Sequence, residues 1–207
     1  INLKAKTNLN PNRTSIYSED LSLEYFENFF DSDQCCSYMT QLSDRVRWRS
    51  EKIKIWGKEI VTNRRIAWYA DAGKSYTYSG STFFPTQWNG VLLQLKRIVE
   101  EYAKVKFNSV LLNKYPNGGV GMGWHSDDEK ELGIDPIIAS LSFGANRDFI
   151  FKHKTNKNLR NVKINLKSGS LLLMLGSTQH YWKHSLPKRL KVKEPRINLT
   201  FRNILEP

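Results

Sequence analysis

The hydrophobic rhythm of the chain changes near its middle. Upstream, apolar residues recur at helical spacing in two places. Asp31 or Ser32 is placed to cap a helix running to about Asp44, with Cys36, Met39 and Leu42 on one face. Thr86 is placed to cap a second helix reaching about Tyr102, with Trp88, Leu92, Leu95 and Val99 together. The stretch from Arg49 to Phe84 between them reads as hairpins and loops. From Asn108 onward the pattern predicts short strands: Ser109–Tyr115, Ile137–Phe143, Asp148–Lys152, Asn161–Leu166, Ser170–Leu175, Tyr181–Leu186 and Arg196–Ile204. Turn residues punctuate them at Pro116-Asn117-Gly118-Gly119, Gly144-Ala145-Asn146 and Ser168-Gly169. An α-rich start followed by many short strands predicts an α+β fold, with an antiparallel sandwich or jelly roll and helices packed outside it.

Composition narrows the class. A chain of 207 residues, 40% hydrophobic and 12% aromatic, can bury a sizeable core and fits one domain. Its longest apolar run, Leu171 to Leu175, is far too short to cross a bilayer, and the polar stretch from Ile1 to Asn10 lacks the apolar centre of a secretory signal. We therefore expect no membrane association. Cys35 and Cys36 are neighbours, which precludes an ordinary loop-closing bridge and points to a reducing, intracellular compartment. Lys and Arg outnumber Asp and Glu by 32 to 20, a net charge of +12, and the excess concentrates at Arg45 to Arg65, Lys152 to Lys167 and Lys183 to Lys193. Clustered positive charge favours a polyanion, because each neutralised phosphate releases counterions.

Only four histidines occur, so their positions carry weight. His125-Ser126-Asp127 follows a Gly-rich turn, and His180 and His184 lie well downstream. Two imidazoles and one carboxylate on one face of an ion make the facial triad of non-haem ferrous oxygenases, which leaves open positions for a bidentate cosubstrate and dioxygen. In extended backbone His125 and Asp127 point the same way. His180 and His184 would share a face of one strand, and spacing does not choose between them. His153, in a Lys-rich stretch, reads as solvated. The final strand alternates strictly: Ile197, Leu199 and Phe201 on one face, Arg196, Asn198, Thr200 and Arg202 on the other. That polar face suits either a solvated sheet surface or a barrel interior built for an anionic ligand, since a dicarboxylate is well held by a guanidinium fork. Asn113 and Tyr115 share a face of their own strand and can add hydrogen bonds.

Residues 108 to 204 resemble the AlkB family, and the match reaches more weakly back to about Ile53. Leu112-Asn113-Lys114-Tyr115, His125-Ser126-Asp127-Asp128-Glu129, Ala139-Ser140-Leu141-Ser142-Phe143-Gly144, Arg147-Asp148-Phe149, His184-Ser185-Leu186-Pro187 and the run from Pro195 to Arg202 carry it. The resemblance implies a double-stranded β-helix at 108–207, preceded at 1–107 by helices and a nucleotide-recognition lid, within one structural domain. It implies ferrous iron held by His125, Asp127 and His184. The cosubstrates would be dioxygen and 2-oxoglutarate, the latter held by Arg196, Arg202, Asn113 and Tyr115.

Among branches of that family the chain looks most like the homologues that repair duplex DNA. Tyr76-Thr77-Tyr78-Ser79-Gly80 resembles their base-pocket segment. The resemblance implies that Tyr78 and His125 sandwich a flipped base while Tyr76 and Glu129 reach its edge, with Ser79 among the substrate-binding residues. Ile55 and Trp56 fall where that branch carries a hydrophobic finger. Trp56, Tyr78 and Ser126 depart from the family's common residues at their positions. The expected activity is oxidative demethylation of bases of the 1-methyladenine and 3-methylcytosine type in single- and double-stranded DNA, by a monomer that is nuclear in a eukaryote or cytoplasmic in a bacterium. An RNA demethylase, or a hydroxylase of another substrate on the same fold, is the alternative.

Overall fold

The structure is a computed structural model that describes residues 12–55, 58–73, 76–78, 81–83 and 85–205, with the backbone alone at 51–55, 58–60, 76–78 and 81–83. Trp56 and Ser79 lie outside the described residues, as do the side chains of Ile55, Tyr76 and Tyr78. In chain order the elements are β1 (Arg13–Ser18), β2 (Leu21–Phe26), α1 (Ser32–Arg45), β3 (Arg49–Ile55), β4 (Lys58–Ala70), β5 (Tyr76–Tyr78), β6 (Ser81–Phe83) and α2 (Gly90–Ala103). They continue as β7 (Ser109–Tyr115), β8 (Met122–His125), β9 (Ile138–Gly144), β10 (Arg147–His153), β11 (Val162–Leu166), β12 (Ser170–Leu175), α3 (Thr178–Tyr181), β13 (Trp182–Leu186) and β14 (Arg196–Arg202). No described helix is long and apolar enough to cross a membrane.

Two antiparallel sheets face each other. The larger has the order β1-β2-β12-β9-β14-β7-β4-β3, the smaller β11-β10-β13-β8. Period-two alternation divides the described side chains of β4, β7, β9 and β12 between two cores. Val110, Leu112, Ala139, Leu141, Phe143, Leu171, Leu173, Ile197, Leu199 and Phe201 pack under α1 and α2. Leu111, Tyr115, Ile138, Leu172 and Met174 point the other way, against Phe149, Phe151, Trp182 and Leu186 of the smaller sheet. This is the expected jelly-roll arrangement. Strands from the first hundred residues extend the sheet of the second hundred: β2 pairs with β12 and β4 with β7.

Both helices form where the periodicity predicts, with shifted details. Asp31 caps α1 in a reciprocal box, accepting from Gln34 N–H at 2.8 Å while the Gln34 side chain accepts from Asp31 N–H at 3.1 Å. The buried face of α1 is Cys35, Tyr38 and Leu42; Cys36 is exposed and Met39 only half-buried. Tyr38 turns the helix, because its ring packs on Phe30 and Phe143 with centroids 5.0 and 5.5 Å away. Asn89, not Thr86, caps α2. Thr86 is held by backbone bonds to Trp68 and Ala70, which continue the edge of β4.

The C-terminal end of α2 is latched by Glu100, a buried carboxylate that accepts from Lys96 at 2.8 Å, Lys106 at 3.1 Å and the Phe107 N–H at 2.9 Å. Burial opposes its charge, yet these donors together hold its carboxyl below the usual range. A folded value below the unfolded one means the contribution is complete above about pH 4.3 and fades as pH falls through the folded value. Glu100→Gln should cost roughly 1–3 kcal/mol near neutrality, and urea unfolding should show that deficit shrinking in acid. A deficit unchanged between pH 7 and pH 3 would mean that the charge of Glu100 is irrelevant to the latch.

Candidate active site

The smaller sheet brings the two imidazoles together. His184 of β13 pairs with His125 of β8, whereas Leu186 pairs with Met122, so three steps along β8 oppose two along β13. That bulge lets Met122 and His125 both line the cavity between the sheets, although simple alternation would send them to opposite faces. The rings meet edge to face with centroids 4.3 Å apart and Nε2 atoms 3.1 Å apart. Asp127, two residues past His125 and 1% exposed, completes the group; one donor atom from each of the three lies within 4.8 Å of the others.

Protonation favours a cation here. His125 Nδ1 lies 2.9 Å from the Gly123 carbonyl, which assigns the proton to Nδ1 and leaves the Nε2 lone pair facing the cavity. Burial, aided by His125 and opposed by Asp127, pushes His184 down to about 3, so it is neutral near pH 7. Burial works against a charge on Asp127 too, but Arg202 and the imidazoles outweigh it and hold the carboxyl below its ordinary value. Two imidazoles and a carboxylate form the donor set of non-haem ferrous sites.

Across the cavity stands β14, and all seven of its residues are buried. Its polar face is therefore interior, not a solvated surface. Arg202 donates to Asp127 Oδ1 at 2.6 Å, so it grips a candidate metal ligand, a contact the spacing of the arginines did not reveal. Arg196 donates to Ser142 Oγ at 2.9 Å and lies 5.5 Å from the Tyr115 ring. Burial pushes Arg196 down to about 10, with Tyr115 opposing, and its Nε has no hydrogen-bond partner among the described residues. A buried guanidinium of that kind fits the carboxylate of a small dianion. Asn113 and Tyr115 line the same cavity with Asn198 and Thr200. Ser140 and Ser142 were not singled out from the sequence; they hold Asn198 and Arg196 respectively. Their signal was two small polar residues, two apart, in an otherwise apolar strand.

Loops above the cavity are fixed by close packing. A Cβ on Gly118 would lie 1.9 Å from the Arg189 carbonyl oxygen, and one on Gly121 2.4 Å from that of Leu186. Buried Arg147 staples the same loops, donating to the Val120 and Pro187 carbonyls at 3.0 and 2.8 Å. Glu129 is half-buried at the start of a short 3-10 turn, Lys130–Leu132.

The other histidines are accounted for. His180 is exposed on α3, its Nδ1 3.8 Å from Asp128, because α3 interrupts the strand on which it would share a face with His184. His153 is buried, contrary to the solvated reading. Its Nδ1 accepts from the N–H groups of Thr155 and Asn156 at 3.2 and 2.8 Å. That leaves the proton on Nε2, which removes His153 as a ligand even though Glu19 and Asp20 sit near it in a metal-like group. His184→Ala should abolish Co(II) binding measured by titration, and His180→Ala should leave it within about twofold. Retention of binding by the first variant would place the third ligand elsewhere.

Comparison with known proteins agrees with this geometry. The family model described as 2OG-Fe(II) oxygenase superfamily matches residues 22–202. DNA oxidative demethylase ALKBH2 of Mus musculus is 40% identical over 203 residues, covering 94% of this chain and 85% of that protein. The Homo sapiens protein of the same name is 44% identical over 160 residues, 74% of this chain and 61% of its own length. Alpha-ketoglutarate-dependent dioxygenase alkB homolog 3 of Homo sapiens is 40% identical over 190 residues, 86% of this chain and 65% of that one. This chain thus spans a little under two thirds of the two human relatives. A solved structure, OsALKBH1, shares the fold with a TM-score of 0.65 at 14% identity, over 92% of this chain and all of that one. By family model and by sequence identity along most of its length, the chain belongs to the AlkB family within the 2OG-Fe(II) oxygenase superfamily.

Proposed function

We propose that this dioxygenase removes methyl groups oxidatively from DNA bases of the 1-methyladenine and 3-methylcytosine type, and so repairs alkylation damage. One observation carries the chemistry: a His-Asp-His group faces two buried arginines across a single cavity. The substrate class rests on relatives named as DNA oxidative demethylases and on a net charge of +12. As a 2OG-Fe(II) oxygenase the chain uses ferrous iron, 2-oxoglutarate and dioxygen. Iron bound with both cosubstrates supplies an oxidant that hydroxylates the N-linked methyl carbon, while 2-oxoglutarate leaves as succinate and carbon dioxide. The hydroxymethylated base then loses formaldehyde.

In this reading His125, Asp127 and His184 hold the iron. Arg196 takes the distal carboxylate of 2-oxoglutarate with Tyr115 and Asn113 beside it, and Arg202 orients both Asp127 and the cosubstrate. A base methylated at these nitrogens is cationic and cannot pair normally, so extruding it costs less than extruding an intact base. Tyr78 and His125 sandwich the cation, and Tyr76, Ser79 and Glu129 read its edge. The chain works as a monomer, and its free thiols Cys35 and Cys36 are in keeping with a reducing compartment, nuclear in a eukaryote and cytoplasmic in a bacterium.

The direct test is mass spectrometry of methylated single- and double-stranded oligonucleotides after incubation with the protein, iron and 2-oxoglutarate. Loss of 14 mass units per lesion (about one CH2, the group removed in such a direct reversal) is the expected result. An unchanged DNA mass beside a methylated RNA control that loses the same mass would move the substrate class to RNA. Arg196→Lys and Arg202→Lys should each raise the 2-oxoglutarate requirement at least tenfold without unfolding the chain, because a fork becomes a point charge. An unaltered requirement would return that face to a structural role.

The duplex preference hangs on Trp56, set with Ile55 among Lys52, Lys54 and Lys58. If its indole fills the gap left by the flipped base, stacking contributes about 1–3 kcal/mol. Trp56→Ala should then slow repair of a methylated duplex while nearly sparing the matching single strand. Equal losses on both, with a lower melting temperature, would assign Trp56 to the core.

A further inference from the structure

We infer that Gln179 is a positioning residue for the metal centre, fixing the distance between the segment that carries Asp127 and the strand that carries His184. The inference rests on the reading of His125, Asp127 and His184 as the metal ligands. Gln179 lies on α3, 1% exposed, and its Oε1 accepts from the Asp127 backbone N–H at 2.9 Å. A backbone donor faces it, so the amide orientation is determined: oxygen toward Asp127, nitrogen toward Met174 Sδ at 3.3 Å on β12.

The turn that presents Gln179 is itself anchored. Thr178 Oγ1 donates to the Leu175 carbonyl at 2.6 Å and accepts from Ser22 N–H at 3.0 Å, which roots α3 on β2 and β12. A second tether runs in parallel at the surface. Lys154 Nζ donates to Asp128 Oδ2 at 2.9 Å and to the Gln179 carbonyl at 3.0 Å. Residues 127 and 128 are thus tied to α3, and α3 leads directly into β13 and His184.

The need for such a tie follows from the forces on Asp127. Its carboxylate is held at 2.6 Å by Arg202 of β14, in the larger sheet, whereas both imidazoles stand on the smaller one. Asp127 lies beyond the end of β8, so no sheet ladder holds its backbone. Gln179 supplies the buried acceptor that a neighbouring strand would otherwise provide. Removing it frees the backbone to follow the carboxylate toward Arg202, which widens the gap to the histidines. Outer-shell contacts of this kind commonly change metal affinity 10–100-fold.

The test uses the full chain and Co(II), whose visible bands report coordination. Gln179→Leu keeps the bulk and removes the acceptor, and Gln179→Ser leaves room for water to satisfy the Asp127 N–H. Both should bind Co(II) at least tenfold more weakly than the unaltered chain, with weaker, broader bands. Gln179→Glu, which keeps an acceptor oxygen on the same stem, should recover most of the affinity. Binding within twofold of the unaltered chain by either folded variant, whatever its melting temperature, would overturn the positioning role. Failure of the unaltered chain to bind Co(II), or binding undiminished by His184→Ala, would instead overturn the triad and the inference with it.

Discussion

Burial of two guanidinium groups on the central strand is the constraint around which this molecule is organised. β14 pairs with β7 along its whole length and with β9 from Arg196 to Phe201, so both of its edges are covered. Its alternation commits Ile197, Leu199 and Phe201 to the helix side and sends Arg196 and Arg202 into the space between the sheets. A buried charge is costly unless it meets a partner. Arg202 meets Asp127 and Arg196 meets Ser142 and the face of Tyr115, so the second sheet and the loops must come close enough to serve them. The same geometry collects anions. A cavity with two cations at its floor and a carboxylate at its roof is selective before any ligand arrives.

What the sequence made legible follows from how local each signal is. The alternation of β14 was plain, and so were Asn113 and Tyr115, because register along one strand is a short-range property. His125, Asp127 and His184 could be nominated as ligand types, but the residues alone left His180 open. A strand drawn back to Tyr181 keeps positions 180 and 184 in phase; the four-residue α3 breaks that phase. His153 looked solvated among lysines, yet its ring caps the turn of Thr155 and Asn156, a role set by two backbone N–H groups that composition cannot show. β1 and β2 went unread although Leu21, Leu23 and Tyr25 alternate, because their partner β12 lies far away in sequence. The rotated face of α1 is a similar case: Tyr38 wins over Met39 only once Phe30 and Phe143 are in place.

Tyr115 stands where the loops and the cavity meet. The guanidinium carbons of Arg64, Arg147 and Arg196 lie 6.0, 6.0 and 5.5 Å from its ring centroid. Each arginine answers to a different part of the fold: β4, the stapled loops, and the cavity floor. One aromatic ring therefore meets all three, through attractions of about 0.5–2 kcal/mol apiece.

The bulge in β8 has a second consequence, in solubility. β8 is an outer strand of its sheet. A regular strand there would offer a row of unpaired amides on which another chain could crystallise its own backbone. β8 is four residues long, contains Gly123 and is kinked where three of its steps meet two of β13. It presents no continuous ladder to copy. The irregularity that aims His125 at its partner thus also denies a second chain a regular edge to pair with.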